Sequence, residues 1–301
     1  KVVGDAGHAW VVRGLGVPGE PRNYQLVGIE LRTNSIMFRK GLGRSYPAMA
    51  GGDGRLWLTT GGGQADGQIV RVDLATGRVL STVHLHAGPC TDLAVSSGRL
   101  FAACAPPAGA GTELWRIDAL TERANRLTGR LYGGVSSPVA APDALWYSRF
   151  GTIIGLVGLG SRPHSVLVRG KQYVTMPGSQ VLVYGDGAIW ALRGQERLAR
   201  INPNTGRLIQ TYGYRNYDPR RAGGLDFMTA GGGWLWFLDN GYPFSGVLRV
   251  SEATGRPAGG VRIARNSCGD VICAQIFYTP GSVWVPTAQL LIRIDTSRMP
   301  G

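Results

Sequence analysis

Gly51–Leu85, GGDGRLWLTTGGGQADGQIVRVDLATGRVLSTVHL, alternates short apolar runs with turn residues, and that alternation decides the fold. GRLWL is apolar and bounded by glycine, QIVRVDL alternates in type, ATGR supplies a turn, and VLSTVHL is rich in β-branched residues. Each run reads as a strand and each glycine-bearing interval as a hairpin connection. Such a unit, with an apolar strand in front of it, cannot bury its own faces. It predicts copies of itself on either side.

The copies are present. An aromatic residue in an apolar strand recurs as Trp10, Trp57, Phe101, Trp146, Trp190, Trp236 and Trp284, at spacings of 47, 44, 45, 44, 46 and 48 residues. A small turn precedes each aromatic, as in GGDG, SSG, GDG and AGGG. The next strand ends in RVD (71–73), RID (116–118), RIN (200–202), RVS (249–251) or RID (293–295), and a TGR turn commonly follows. Period and content predict an all-β, seven-bladed propeller of four-stranded antiparallel blades, forming one domain over residues 1–301. The first strands fall at TDLAV, QVLVY, LDFMTA and AQIFY in blades three, five, six and seven, and near Lys1–Asp5 in blade one. Blade seven reaches LLIRID and stops without an outer strand, which predicts a three-stranded last blade or a piece of a longer protein. The recurring aromatics are expected to pack between blades and the TGR glycines to set turns.

Composition agrees with this architecture. Charged residues make up only 17% of the 301, against 47 glycines and 17 prolines, and the longest low-polarity run, GTIIGLVGLG at 151–160, is far too short to span a membrane. The net charge of +13 is almost wholly arginine, since the only lysines are Lys1, Lys40 and Lys171. Arg71, Arg116, Arg200, Arg249 and Arg293 recur at one repeat position, and Arg78, Arg207 and Arg256 follow turn glycines. That spreads positive charge around the periphery, which favours anionic partners in general without forming a specific nucleic-acid groove.

Cys90 and Cys104 flank CTDLAVSSGRLFAAC at equal distance from Ser97, which sets them opposite each other in a hairpin and predicts a cross-strand disulfide. Cys268 and Cys273, in SCGDVIC, are placed to close a small loop, with free thiols or a metal site as the alternatives. Two disulfides imply an oxidising, extracytoplasmic location, secreted or at the cell surface. The chain begins at Lys1 rather than Met, which suggests removal of a leader or a longer N-terminal region.

RLWLTT, IVRVDLATGRVL, AIWAL and LARINPNTGRLI together resemble the blades of bacterial YVTN and NHL-type seven-bladed propellers, including streptogramin B lyase-like proteins. The resemblance spans essentially the whole chain. It implies either an extracytoplasmic recognition or scaffold module, such as the sensor ectodomain of a larger protein, or a metal-dependent lyase or lactonase acting at a central channel. The lyase reading calls for a histidine and acidic residues at the channel mouth. The one Pro-His pair, Pro163-His164, lies half a blade past Trp146 and out of register.

Candidate sites follow from what the repeat leaves over. Propeller ligands bind where the innermost strands begin, and those positions hold Asp92, Ser137, Gln180, Asp226 and Gln275. Asp92 and Asp226 are the candidate ligands for a hard cation such as calcium. His84 and His86 alternate at a strand end like a two-histidine metal site, with His86 nearer the inner loop. The strongest recognition candidate is the irregular segment YGYRNYDPRRAGG, 212–224, which interleaves Tyr212, Tyr214 and Tyr217 with Arg215, Arg220 and Arg221. Tyrosine offers wide contact at small entropic cost, and guanidinium pairs with carboxylate or phosphate in a forked geometry. Arg44 and Tyr46, entering blade two, and Tyr132, entering blade four, are expected on the same rim. No nucleophile elbow, Ser-His-Asp order or phosphate-binding loop stands out, so the expectation is a noncatalytic module binding a protein, peptide or glycan partner.

Overall fold

The computed structural model describes residues 2–4, 7–15, 23–43, 48–52, 54–60, 67–107, 110–149, 152–159, 164–167, 181–193, 197–213, 225–239, 244–265, 275–286 and 291–299. The architecture is all-β: seven antiparallel sheets, six of four strands and a last one of three, each built from consecutive strands in chain order. Blade one comprises Val2–Gly4, His8–Leu15, Asn23–Glu30 and Ser35–Gly43; blade two Met49–Gly52, Arg55–Thr59, Gly67–Val72 and Val79–Leu85. Blade three comprises Cys90–Ser96, Arg99–Cys104, Glu113–Asp118 and Ala124–Arg126; blade four Ser136–Ala141, Ala144–Arg149, Thr152–Val157 and His164–Leu167. Blade five comprises Val181–Gly185, Ala188–Arg193, Arg197–Ile201 and Leu208–Gly213; blade six Leu225–Gly231, Trp234–Asp239, Phe244–Ser251 and Pro257–Arg265. Blade seven has Phe277–Thr279, Ser282–Pro286 and Leu291–Asp295, so its first strand is shorter than AQIFY suggests. The chain divides into two compact units, Lys1–Leu145 and Trp146–Gly301.

One turn recurs with the same hydrogen bonds. Asp73 Oδ1 accepts from the Ala75 and Thr76 amides at 3.2 and 2.7 Å and from Thr76 Oγ1 at 2.6 Å. The Gly77 amide donates to Asp73 O at 2.9 Å, and Gly77 sits at φ +70°, where a β-carbon is strained. Asn202 and Ser251 play the part of Asp73 in blades five and six. Asp118 does so in blade three, where Glu122 replaces the glycine and takes φ +59°. Hydrogen bonds from the threonine hydroxyls and backbone amides hold the Asp73 and Asp118 carboxyls below the ordinary aspartate value.

These turns are also where neighbouring blades meet. In the first unit Trp10 Nε1 donates to Leu74 O at 3.2 Å, and in the second Trp146 Nε1 donates to Pro203 O at 3.1 Å. Leu74 and Pro203 hold the same position in their turns, so the aromatic of one blade ties down the turn of the next. Trp190, Trp236 and Trp284 donate instead within their own blades, to Gly185 O, Gly231 O and Thr279 Oγ1. Side chains of an outer strand complete the joint: the Phe38 ring covers Gly77, the Tyr212 ring covers Gly255, and Ser81 Oγ donates to Glu122 Oε1 at 2.5 Å. Cores accordingly straddle blades. Trp10 packs with Met49, Leu56 and Val70, Trp57 with Leu93 and Leu100, Trp190 with Met228 and Phe237, and Trp236 with Val283 and Ile294.

The repeated arginine has a structural role as well. Arg71, Arg116, Arg200, Arg249 and Arg293 lie directly across from Trp57, Phe101, Trp190, Trp236 and Trp284. The Arg200 and Arg293 guanidinium groups sit 5.4 Å from the Trp190 and Trp284 rings, and Arg249 sits 4.6 Å from Trp234. Such contacts are worth about 0.5–2 kcal/mol each, so part of the positive charge is engaged in holding adjacent strands of one blade together.

Candidate functional site

The TGR turns mark one end of blades two, five and six, as the TER turn does in blade three, and the opposite end of blades two and three holds the exposed chemistry. At the end of blade two, His84 in the strand and His86 in the bend just past it are both exposed, while Leu85 between them is buried. Leu85 pairs with Gly67 and His84 with Gln68. A concavity of about 310 Å3 is lined by His84, Leu85, His86, Ala87 and Pro107.

Backbone bonds fix this segment on both sides. The Gly67 amide donates to Ala87 O at 2.7 Å, the Gly88 amide to Ala105 O at 2.7 Å, and the Ala105 amide to Pro89 O at 2.9 Å. Glycine is needed for the close approach: a β-carbon on Gly67 would lie 3.0 Å from Gly88 O, and one on Gly88 would lie 3.1 Å from Pro106 O. The Cys90–Cys104 disulfide closes the same end of blade three. Its register differs from simple equidistance about Ser97. Ser96 pairs with Arg99 around a two-residue turn in which Ser97 and Gly98 both have positive φ. That register alone would set Cys104 against Thr91, and an irregularity between Ala103 and Cys104 restores Cys90 as the partner.

Next to the disulfide, Glu113 pairs with Cys104 across the sheet and is only 4% exposed. Arg126 Nη1 donates to its Oε1 at 3.1 Å, while Oε2 is buried without a hydrogen-bond partner among the described residues. A bridge between Thr112 and Leu131 then presents Tyr132, which at 69% exposure is the most open aromatic among the described residues. Strand Met49–Gly52 of blade two begins at this end, so Arg44 and Tyr46 precede it in the chain, themselves outside the described residues.

Other expected residues are placed differently. Tyr212 is half-buried, stacks on Trp190 with centroids 6.0 Å apart, and donates to Gln210 Oε1 at 2.9 Å, so its ring is engaged in packing. Tyr214, Arg215, Tyr217, Arg220 and Arg221 lie outside the described residues, as do Cys268, Cys273, Pro163 and Gln180. Asp92 is half-buried in the first strand of blade three, and Asp226 lies in Leu225–Gly231 at a register irregularity, each in a different compact unit. No group of three or more His, Cys, Asp or Glu side chains converges among the described residues. His164 opens the outer strand of blade four and pairs with Val157.

One cluster had no counterpart in the sequence reading. Glu252, 3% exposed, follows Ser251 in the blade-six turn and abuts Gly185. Burial pushes its carboxyl above the ordinary glutamate value, the Asp186 charge adds to the rise, and Arg200 opposes it. Arg200 Nη2 is bonded to Asp186 Oδ2 at 3.0 Å. The signal was available in the aligned turns, where the corresponding positions are Leu74, Ala119 and Pro203.

By sequence the chain matches no protein-family profile and no curated protein. By structure it is similar to BamB from Moraxella catarrhalis, with TM-score 0.53, 11% identity, and coverage of 97% of this chain and 92% of the other. It is likewise similar to Hsv2 from Kluyvelomyces marxianus, with TM-score 0.62, 10% identity, and coverage of 98% and 91%. A computationally designed protein, Ika8, matches with TM-score 0.54 and 12% identity over 84% of this chain and 72% of its own. At such identities the likeness is one of fold, and it agrees with the seven-bladed propeller built up from the strands.

Proposed function

We propose that the seven blades act as one propeller domain of YVTN/NHL type, whose work is noncatalytic recognition of a protein, peptide or glycan partner outside the cytoplasm. The observation that carries this reading is the gathering of exposed His84, His86 and Tyr132 at the end of blades two and three opposite the TGR turns. The turn ends are consumed by repeated hydrogen bonds and ring contacts. The opposite end presents side chains that the repeat does not require, on backbone held by the disulfide and by the Gly67–Ala87 and Gly88–Ala105 backbone bonds. The segment 214–221, with its tyrosines and arginines, is retained as a separate recognition element on sequence grounds alone, and the net charge of +13 favours an anionic ligand. The Cys90–Cys104 disulfide supports the oxidising location.

The test is binding to a panel of acidic glycans and acidic peptides, polygalacturonate and polyglutamate among them. Wild type is compared with a Tyr132→Ser, His86→Gln double variant and with an Arg215→Ala, Arg220→Ala, Arg221→Ala triple variant. Saturable binding that weakens about tenfold in either variant at unchanged melting temperature supports the proposal. Binding equal in all three proteins and abolished by moderate salt reduces the effect to general charge, and cleavage of a panel member points to an enzyme instead.

A further inference from the structure

Beyond recognition by contact, we propose that His84 and His86 form a chelating site for one borderline divalent transition-metal ion, with zinc and copper(II) as the fitting class. Four observations converge on it. His84 lies in strand Val79–Leu85 and His86 in the bend just past its end, both are exposed on either side of buried Leu85, and two residues of chain separate their backbones by at most about 7 Å. That spacing lets two ring nitrogens converge on one ion at the usual zinc–nitrogen distance of about 2.0–2.1 Å. Both histidines border the same 310 Å3 concavity, whose other lining residues, Leu85, Ala87 and Pro107, are apolar. The backbone that carries them is fixed before any ion arrives, through the Leu85–Gly67 pairing, the Gly67 bond to Ala87 O and the Gly88 bond to Ala105 O.

Rigid backbone matters because a two-ligand chelate has little binding energy to spend on ordering the chain. Imidazole is a borderline ligand, so the site selects zinc or copper over calcium or magnesium, which favour oxygen. Two protein ligands leave coordination positions for water or for a carboxylate or imidazole of a docking partner. The site thus joins the recognition surface, yet it rests on the histidine geometry alone and stands or falls apart from the partner's identity.

The experiment is calorimetric titration of tag-free, chelator-treated, disulfide-intact protein with zinc chloride at pH 7.5, repeated with copper(II) and calcium. The expected result is one saturable zinc per chain, tighter copper binding in line with the general metal order, and no calcium binding. His84→Gln and His86→Gln each weaken zinc about tenfold or more, while a His8→Gln, His164→Gln double variant leaves it unchanged. Absence of saturable zinc binding in the wild type overturns the proposal. So does one-equivalent binding that survives loss of both His84 and His86.

Discussion

Glu252 shows what one residue does when it departs from a repeated slot. The equivalent turn positions in blades two, three and five are Leu74, Ala119 and Pro203, and all accept burial without a charge. Glu252 is buried with one carboxyl oxygen unbonded among the described residues, and Asp186 repels its anion. Because its folded-state carboxyl titrates above the unfolded one, the folded state holds the extra proton, and stability falls as pH rises through that interval. Below the ordinary glutamate value of 4.5 the group is protonated in both states and the effect vanishes. Glu252→Leu should therefore raise the melting temperature at pH 7 by about 2–4 °C for each kcal/mol relieved, and the gain should shrink by pH 4. A gain independent of pH, or a loss, would contradict this, and calorimetry reads either. The turn aspartates carry the opposite sign. Asp73, Asp118 and Asp295 are held below 3.8 by threonine or serine hydroxyls and backbone amides, so their contribution is complete above that value and is lost as pH falls through the lower folded values. Replacing all three by Asn, the residue blade five already uses at 202, should flatten the stability curve below about pH 4. An unchanged acid limb in chemical unfolding would exclude them as its source.

The element that joins blades is the turn together with the outer strand of its neighbour. Gly255 needs glycine twice, for φ +64° and because the Tyr212 ring occupies the space of a β-carbon, whereas Gly54, at φ +70°, opens on free space. Gly54→Ala should cost only the conformational strain, about 1–2 kcal/mol, and Gly255→Ala clearly more. In a Tyr212→Ala background the excess at Gly255 should disappear, giving a coupling of about 1 kcal/mol or more in a double-mutant cycle. Additive costs would show that the ring yields freely. At this scale the sequence was highly legible: aromatic spacing, glycine turns and the RxD endings located blades because hydrophobic period and turn chemistry are local properties. Register was less so. The Cys90–Cys104 pairing followed from counting about Ser97, but the molecule reaches it through a Ser97–Gly98 turn and a compensating irregularity after Ala103. The partnership of Tyr212 with Gly255, and of Glu122 with Ser81 and Arg71, depends on which blade faces which turn, and no single-blade pattern encodes it.

At the scale of the molecule, repetition separates scaffold from function. Each device found in several blades, the Asx-type turn, the Trp indole bond and the Arg over the ring, is spent on holding a sheet together or tying it to its neighbour. Residues without a repeated counterpart, His84, His86 and Tyr132, gather at the other end of blades two and three. Sequence reasoning selected His84 and His86 as a pair at a strand end, with His86 nearer the inner loop, and expected Tyr132 on the rim. What it could not supply is the paired register of Gly67 with Leu85, Cys104 with Glu113 and Thr112 with Leu131, which sets all three at the same end of their blades. The most direct test of this division is hydrogen-exchange footprinting of the protein with the tightest-binding member of the acidic glycan and peptide panel. New protection is predicted at 84–89, 105–107 and 131–134, with none at the turns 73–78, 118–123 and 202–207. Protection centred on those turns, with 84–89 and 131–134 unchanged, would contradict the account.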